Sequence, residues 1–186
     1  SKSAKFVIGV CGGIAAYKIP GLVNNLRRAG AQVRVVMTSN ACRFVTPLTF
    51  ETVSRNPVHT GMFDKPAGSG WEIEHVSLAD WADLIIVAPA TANVIGKVAS
   101  GLADDLLTAV IMSAKSKVLF APAMNDRMCE NAIVKDNVRK LKKLGYCFAG
   151  PAAGELACGR EGRGRLQSVG EIAKQAASIL KKEGVL

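Results

Sequence analysis

Three stretches of this chain combine small residues with hydroxyl and amide side chains, and each follows directly on an apolar run. They are Gly9-Val10-Cys11-Gly12-Gly13-Ile14-Ala15-Ala16, Pro89-Ala90-Thr91-Ala92-Asn93 and Pro122-Ala123-Met124-Asn125-Asp126-Arg127-Met128. Glycines in the first let the main chain approach an anion at a helix N-terminus, where free N–H groups and the helix dipole favour negative charge. The spacing is not G-x-G-x-x-G, and Met37-Thr38-Ser39-Asn40 places no carboxylate at the end of the next apolar run. That disfavours a dinucleotide such as NAD; hydroxyls and an amide suit a mononucleotide phosphate or a flavin ring. A tight turn accounts for the first stretch equally well, and helix capping by Thr, Asn and Asp accounts for the other two.

A fourth stretch has a different chemistry. Gly154-Glu155-Leu156-Ala157-Cys158-Gly159-Arg160-Glu161-Gly162-Arg163-Gly164-Arg165-Leu166 sets one thiol among three arginines. Such a thiol would have a lowered pKa and access to a ligand, and the arginines could close over a phosphate as a lid. His75 is one of two histidines; it precedes Ser77, read as a helix N-cap, and for an isolated histidine a satisfied surface role is the plainer expectation. His59 has no context that raises it further. The five cysteines are odd in number, scattered and without a C-x-x-C pair, which predicts free thiols, no disulfide framework and no metal site.

These residues need a scaffold that presents several strand ends together. Apolar runs at Lys5–Val10, Gln32–Met37, Leu84–Ala88, Lys117–Ala121 and Tyr146–Phe148 read as strands, and continuous runs such as Leu84-Ile85-Ile86-Val87-Ala88 fit strands buried on both faces. Helical stripes run through Ile19, Leu22, Val23, Leu26 and Ala29, stopped by Gly30, and through Leu106, Leu107, Val110 and Ile111. Another runs through Ile133, Val134, Val138, Leu141 and Leu144, closed by Gly145. A last one starts at Ser168 with Glu171 in capping-box spacing and continues through Ile172, Ala176, Ile179 and Leu180. The prediction is an α/β fold: one domain over residues 1–186, a doubly wound, Rossmann- or flavodoxin-like parallel sheet with helices on both faces. Ligands of such sheets bind at the carboxyl ends of the strands. Residues 55–70 and 150–166 read as loops.

With 24 Lys+Arg against 15 Asp+Glu, the formal charge of +9 suits phosphorylated partners of several kinds. The basic cluster Arg139, Lys140, Lys142, Lys143 falls on a helix and is expected to be a solvated face; no nucleic-acid motif accompanies it. No apolar stretch has membrane-spanning length and the N-terminus lacks a secretory pattern, so no membrane partner and a cytoplasmic location are expected.

Taken in order, Gly12-Gly13-Ile14-Ala15-Ala16-Tyr17-Lys18, His75, Pro89-Ala90-Thr91-Ala92-Asn93, Pro122–Met128 and Ala157-Cys158-Gly159 with Gly162-Arg163-Gly164-Arg165-Leu166 resemble the homo-oligomeric flavin-containing cysteine decarboxylases. The resemblance implies that FMN is bound by Gly12, Gly13, Ile14, Thr38, Ser39, Thr91, Ala92, Asn93 and Ala123. It implies His75, Asn125 and Cys158 as catalytic residues and Asn125, Met128, Ala157, Cys158 and Arg165 as substrate contacts, with 150–166 as a clamp. The implied reaction is loss of CO2 from 4'-phosphopantothenoylcysteine, giving 4'-phosphopantetheine for coenzyme A. The thiol would first be oxidised to a thioaldehyde with FMN as acceptor; CO2 leaves to give an enethiolate, which is protonated and reduced. Alternatives from the same resemblance are a relative acting on a peptidyl C-terminal cysteine and a non-catalytic FMN-binding regulatory subunit. Trimers or dodecamers, and fusion to a synthetase domain, are further implications. One departure from the pattern is Cys129, where an aromatic residue is usual.

Overall fold

The computed structural model describes residues 3–63, 73–155, 159 and 161–186. Its centre is a parallel sheet of β1 (Lys5–Val10), β2 (Gln32–Met37), β3 (Val58–His59), β4 (Leu84–Ala90), β5 (Lys117–Pro122) and β6 (Cys147–Phe148), in the order β3-β2-β1-β4-β5-β6. Every residue of β4 is buried, which is why its sequence is a continuous apolar run rather than an alternation.

Alternate residues of β1 feed two layers. Phe6, Ile8 and Val10 pack with α1 (Ile19–Arg28) and α8 (Val169–Lys182), through Leu22, Val23, Ile172 and Leu180. Val7, with Cys11 just beyond the strand, faces α3 (Glu74–Trp81), α4 (Ala92–Ala99) and α5 (Leu106–Ser113), through Leu78, Val94, Leu107 and Val110. Between them Gly9 lets α5 come close: a Cβ there would lie 2.4 Å from Leu107 Cδ1. Gly30 and Gly145 take φ of +87° and +91° just beyond α1 and α7 (Ala132–Lys143), the left-handed stop that their positions predict. Ser168 caps α8 by accepting the Glu171 amide at 3.2 Å.

Several elements depart from expectation. The short β3 lies in the segment expected to be a loop, after α2 (Pro47–Ser54). Helix α3 begins at Glu74, so Ser77 lies within the helix and does not cap it; the N-cap is Ile73, which supplies no side-chain bond. Helix α7 buries only Leu141 fully, with Ile133 71% and Leu144 65% exposed. Cys147 sits half-buried on edge strand β6. The glycine- and arginine-rich segment contains an antiparallel hairpin of β7 (Ala152–Glu155) and β8 (Glu161–Arg165). Its polar faces and missing β-branched residues hide it from a pattern search.

Chain connections run outward from β1 to β3 on one side and from β4 to β6 on the other. The order therefore reverses between β1 and β4, leaving a crevice at their carboxyl ends.

Candidate functional site

A cavity of about 700 Å³ occupies that crevice. The turn after β1 supplies Gly12, Gly13 and Ile14; the 3-10 turn Ile14–Lys18 adds Tyr17 and Lys18. Thr91, Ala92 and Asn93 come from the end of β4 and the start of α4, and Ala123, Met124, Asn125 and Met128 from the end of β5 and the short helix α6 (Asp126–Glu130). Hairpin residues Glu155, Gly164 and Arg165 complete the wall with Leu166.

Two glycines shape the first turn differently. A Cβ on Gly12 would stand 2.4 Å from Asn40 Cβ and 2.9 Å from its carbonyl carbon, so Gly12 is what lets the turns after β1 and β2 touch. Among the described residues a Cβ on Gly13 would find nothing nearer than Thr91 Cγ2 at 3.9 Å, so there the backbone is bared toward the cavity. Thr91 Oγ1 caps α4 by accepting the Val94 amide at 3.3 Å. Asn125 caps α6: its Oδ1 accepts the Arg127 amide at 2.9 Å, and its Nδ2 has no partner among the described residues. The cap thus fixes the amide's orientation and leaves two N–H donors for the cavity. Capping and ligand contact, alternatives in the sequence, are compatible at both positions.

Hairpin and site are joined at one point. The Met124 amide donates to the Gly164 carbonyl at 2.9 Å, and a Cβ on Gly164 would lie 2.2 Å from Met124 O. Pairing of Ala152 with Arg165 and of Ala153 with Arg163 leaves Gly164 as the bulged residue, which turns Arg165 toward the cavity.

Of the residues singled out in the sequence, Gly12, Gly13, Ile14, Thr91, Ala92, Asn93, Ala123, Asn125, Met128 and Arg165 line this cavity. Thr38 and Ser39 do not. Thr38 is half-buried and its hydroxyl accepts the Ala41 amide at 3.2 Å, so the end of β2 abuts the glycine turn through Asn40 without lining the cavity. His75 is half-buried on the first turn of α3, apart from the lining residues. Ala157 and Cys158 lie outside the described residues. His59 pairs with Glu74 at the sheet edge. Tyr17, Lys18 and Glu155 were not singled out as site residues; for the first two the signal was their place directly after the glycine turn.

Beneath the site, burial pushes the Cys11 thiol up to about 12, against hydrogen bonding with Thr91 that lowers it. The folded thiol therefore keeps its proton at pH values where an unfolded one, near 9.0, has lost it. The unfolded state binds fewer protons as pH rises, so stability falls between these values by about 1.4 kcal/mol per pH unit. Urea unfolding of the wild type is expected to lose about 1.4 kcal/mol more than Cys11→Ala between pH 8 and pH 10. Equal losses in the two proteins would show that Cys11 does not titrate this way.

A switch-point cavity floored by a glycine turn and walled by amide, hydroxyl and cationic groups defines a mononucleotide-binding α/β protein. More narrowly, the chain belongs to the Flavoprotein family, whose model matches residues 1–181. It is 51% identical over 174 residues to the coenzyme A biosynthesis bifunctional protein CoaBC of Bacillus subtilis, an alignment covering 94% of this chain and 42% of that protein. The chain thus spans less than half the length of this curated relative. Its fold superposes on a Cys-to-Ser mutant of PPC decarboxylase complexed with pantothenoylaminoethenethiol with a TM-score of 0.86 at 27% identity, covering 97% of this chain and 100% of that one. The FMN-dependent cysteine decarboxylase SpaF matches with a TM-score of 0.79 at 33% identity, over 94% and 97% of the two chains.

Proposed function

We propose that this chain is an FMN-dependent decarboxylase that converts 4'-phosphopantothenoylcysteine to 4'-phosphopantetheine, and that it works as the decarboxylase part of a protein that also carries a synthetase. The observation that carries this is Asn125: a cap-oriented amide whose two N–H donors face a switch-point cavity, in a chain similar to CoaBC and to a PPC decarboxylase.

The cavity fits FMN. Its volume falls within the ~300–1,000 Å³ of small-molecule sites, and the bared backbone at Gly13 accepts a close-lying ligand. Thr91 and Asn93 offer polar atoms from the facing strand end. Bound there, FMN supplies an acceptor for two electrons from the substrate thiol and a donor that returns them.

The chain's own residues do the rest. Asn125 Nδ2 holds the carboxylate that departs, and an amide suits this better than a cation, which would stabilise the ground-state anion and oppose loss of CO2. Lys18 and Arg165 bring positive charge to the cavity for a phosphorylated substrate, and Met128 packs against it. The hairpin closes as a clamp, and Cys158, which falls between its two strands in the sequence, protonates the enethiolate carbon. His75 lies away from this chain's cavity, so it acts across a subunit contact in a trimer or a dodecamer. The setting is cytoplasmic, in keeping with the absence among the described residues of any helix long and apolar enough to cross a membrane.

The test is incubation with 4'-phosphopantothenoylcysteine, with the product identified by mass. Wild type is expected to yield 4'-phosphopantetheine. Cys158→Ser is expected to release CO2 but stop at the unsaturated ethenethiol. Complete turnover by Cys158→Ser removes that thiol from the mechanism, and intact substrate with wild type defeats the proposed activity. The likeness to SpaF, a cysteine decarboxylase, supports a second reading in which the cysteine belongs to another molecule; a peptide ending in cysteine, offered in parallel, separates the two.

A further inference from the structure

A second cavity, of about 320 Å³, lies behind the wall of the first, at the carboxyl ends of β5 and β6 between α7 and β8. Among the described residues the two share only Met124. Its floor is apolar, formed by Met124, Val134, Val138, Phe148 and Pro151. Val134 and Val138 belong to the helical stripe that the sequence assigns to the core; both are half-buried and line this space, Val138 while also packing against the core.

Its rim is cationic. Lys135, Arg139, Lys142 and Arg163 line it with a single carboxylate among the described residues, Glu130. Residues 135, 139 and 142 share one face of α7, whereas Lys140 and Lys143 of the same basic cluster do not reach the cavity. That cluster is therefore only in part a solvated face. Lys135 pairs with Glu130 and Arg139 with Asp136. Lys142 lies 5.6 Å over the Phe148 ring. Among the described residues neither Lys142 nor Arg163 has a carboxylate partner.

Two features of the chain build this space. The bulge at Gly164 sends Arg163 to this cavity and Arg165 to the other. Cys129, where the resemblance leads one to expect an aromatic side chain, also lines the cavity, and its small thiol leaves room that a ring would take. Burial and the Glu130 carboxylate raise this thiol, and Arg163 and Lys135, which line the same cavity, act on it in the opposite sense.

We propose that this cavity is a second binding site, for a small organic anion with an aromatic or branched apolar body and a phosphate or carboxylate head. The body lies on Val138 and Phe148, and the head sits between Lys142 and Arg163. Unpaired cations over an apolar floor select against both an apolar molecule without charge and a bare anion.

The test uses the FMN-loaded protein with 1-naphthyl phosphate as probe, reading alkylation of each cysteine by N-ethylmaleimide through peptide mass. At saturating probe, Cys129 labelling is expected to slow at least several-fold while Cys42 is unaffected. Lys142→Gln and Arg163→Gln should each weaken protection by roughly tenfold, the loss of one charge-assisted hydrogen bond. Val138→Trp, which fills the space, should abolish it; should that variant misfold, the two exposed charge variants still decide the matter. An unchanged Cys129 rate overturns the site. So does protection that survives both charge substitutions, or equal protection by 1-naphthol or by inorganic phosphate.

Discussion

Asn125→Asp should leave the fold intact and stop decarboxylation. Aspartate caps a helix as well as asparagine does, and a negative charge at the N-terminus of α6 is favoured by the helix dipole, so thermal stability should be unchanged or slightly raised. The cavity loses its two N–H donors and gains a carboxylate facing the one that must depart. Two like charges about 4 Å apart at an effective dielectric near 20 repel by about 4 kcal/mol. That corresponds to roughly a thousandfold loss of kcat/KM. FMN content, read by absorbance, should hold, because the glycine turn and Thr91 lie on other walls. Asn125→Ala makes the complementary change: it loses the cap, costing about 1 kcal/mol of stability, and introduces no repulsion, so it should be the less stable protein but the better enzyme of the two. Asn125→Asp turning over within a few-fold of wild type would remove the amide from carboxylate binding.

The ease with which the sequence yields this site varies from wall to wall, for physical reasons. Leu84 to Ala88 cannot be mistaken, because a strand buried on both faces carries no polar residue to break its pattern, and the small polar residues after it fall at a strand end by necessity. Gly30 and Gly145 mark helix ends because only a left-handed residue fits there. Thr38 and Ser39 resemble Thr91 in type and in place after a strand. What separates them is a three-dimensional fact, the contact of Asn40 with Gly12, which spends the end of β2 on the neighbouring turn. Strand β3 is two residues long and has no period to detect. His75 stands where local sequence gives no direction, since its place on the first turn of α3 is set by packing of Leu78 and Ala79 against the sheet. The hairpin is hardest of all: it is held by backbone bonds and glycines, and these leave no hydrophobic trace.

That mode of attachment makes Gly164 the second position of large effect. The hairpin meets the strand-end segment through the Met124 amide, bonded to the Gly164 carbonyl at 2.9 Å, and through a contact so close that a single methyl at 164 would lie 2.2 Å from Met124 O. Heavy atoms do not approach that closely, so in Gly164→Ala the hairpin must retreat by about 1 Å, and that bond opens. Arg165 moves with it, and so does the wall facing Asn125, the next residue after Met124. A displacement of that size at a reacting centre costs about 10²-fold in rate. Gly164 is buried, but the atoms nearest a Cβ there belong to the main chain of Met124 and Asn125 and not to core side chains, so the thermal midpoint should fall by only a few degrees. FMN binding should survive, because the glycine turn and the end of β4 do not depend on the hairpin. Gly170→Ala is the control: among the described residues nothing lies within 4 Å of a Cβ there, it sits on α8 and does not line the cavity, and alanine should stabilise that helix by up to about 1 kcal/mol without changing turnover. Steady-state decarboxylation of 4'-phosphopantothenoylcysteine by both variants, each loaded with FMN, decides the point. If Gly164→Ala retains more than about a third of wild-type kcat/KM, a factor that corresponds to less than 1 kcal/mol, the hairpin is a passive cover and the closeness of its contact with Met124 has no bearing on how Asn125 is held.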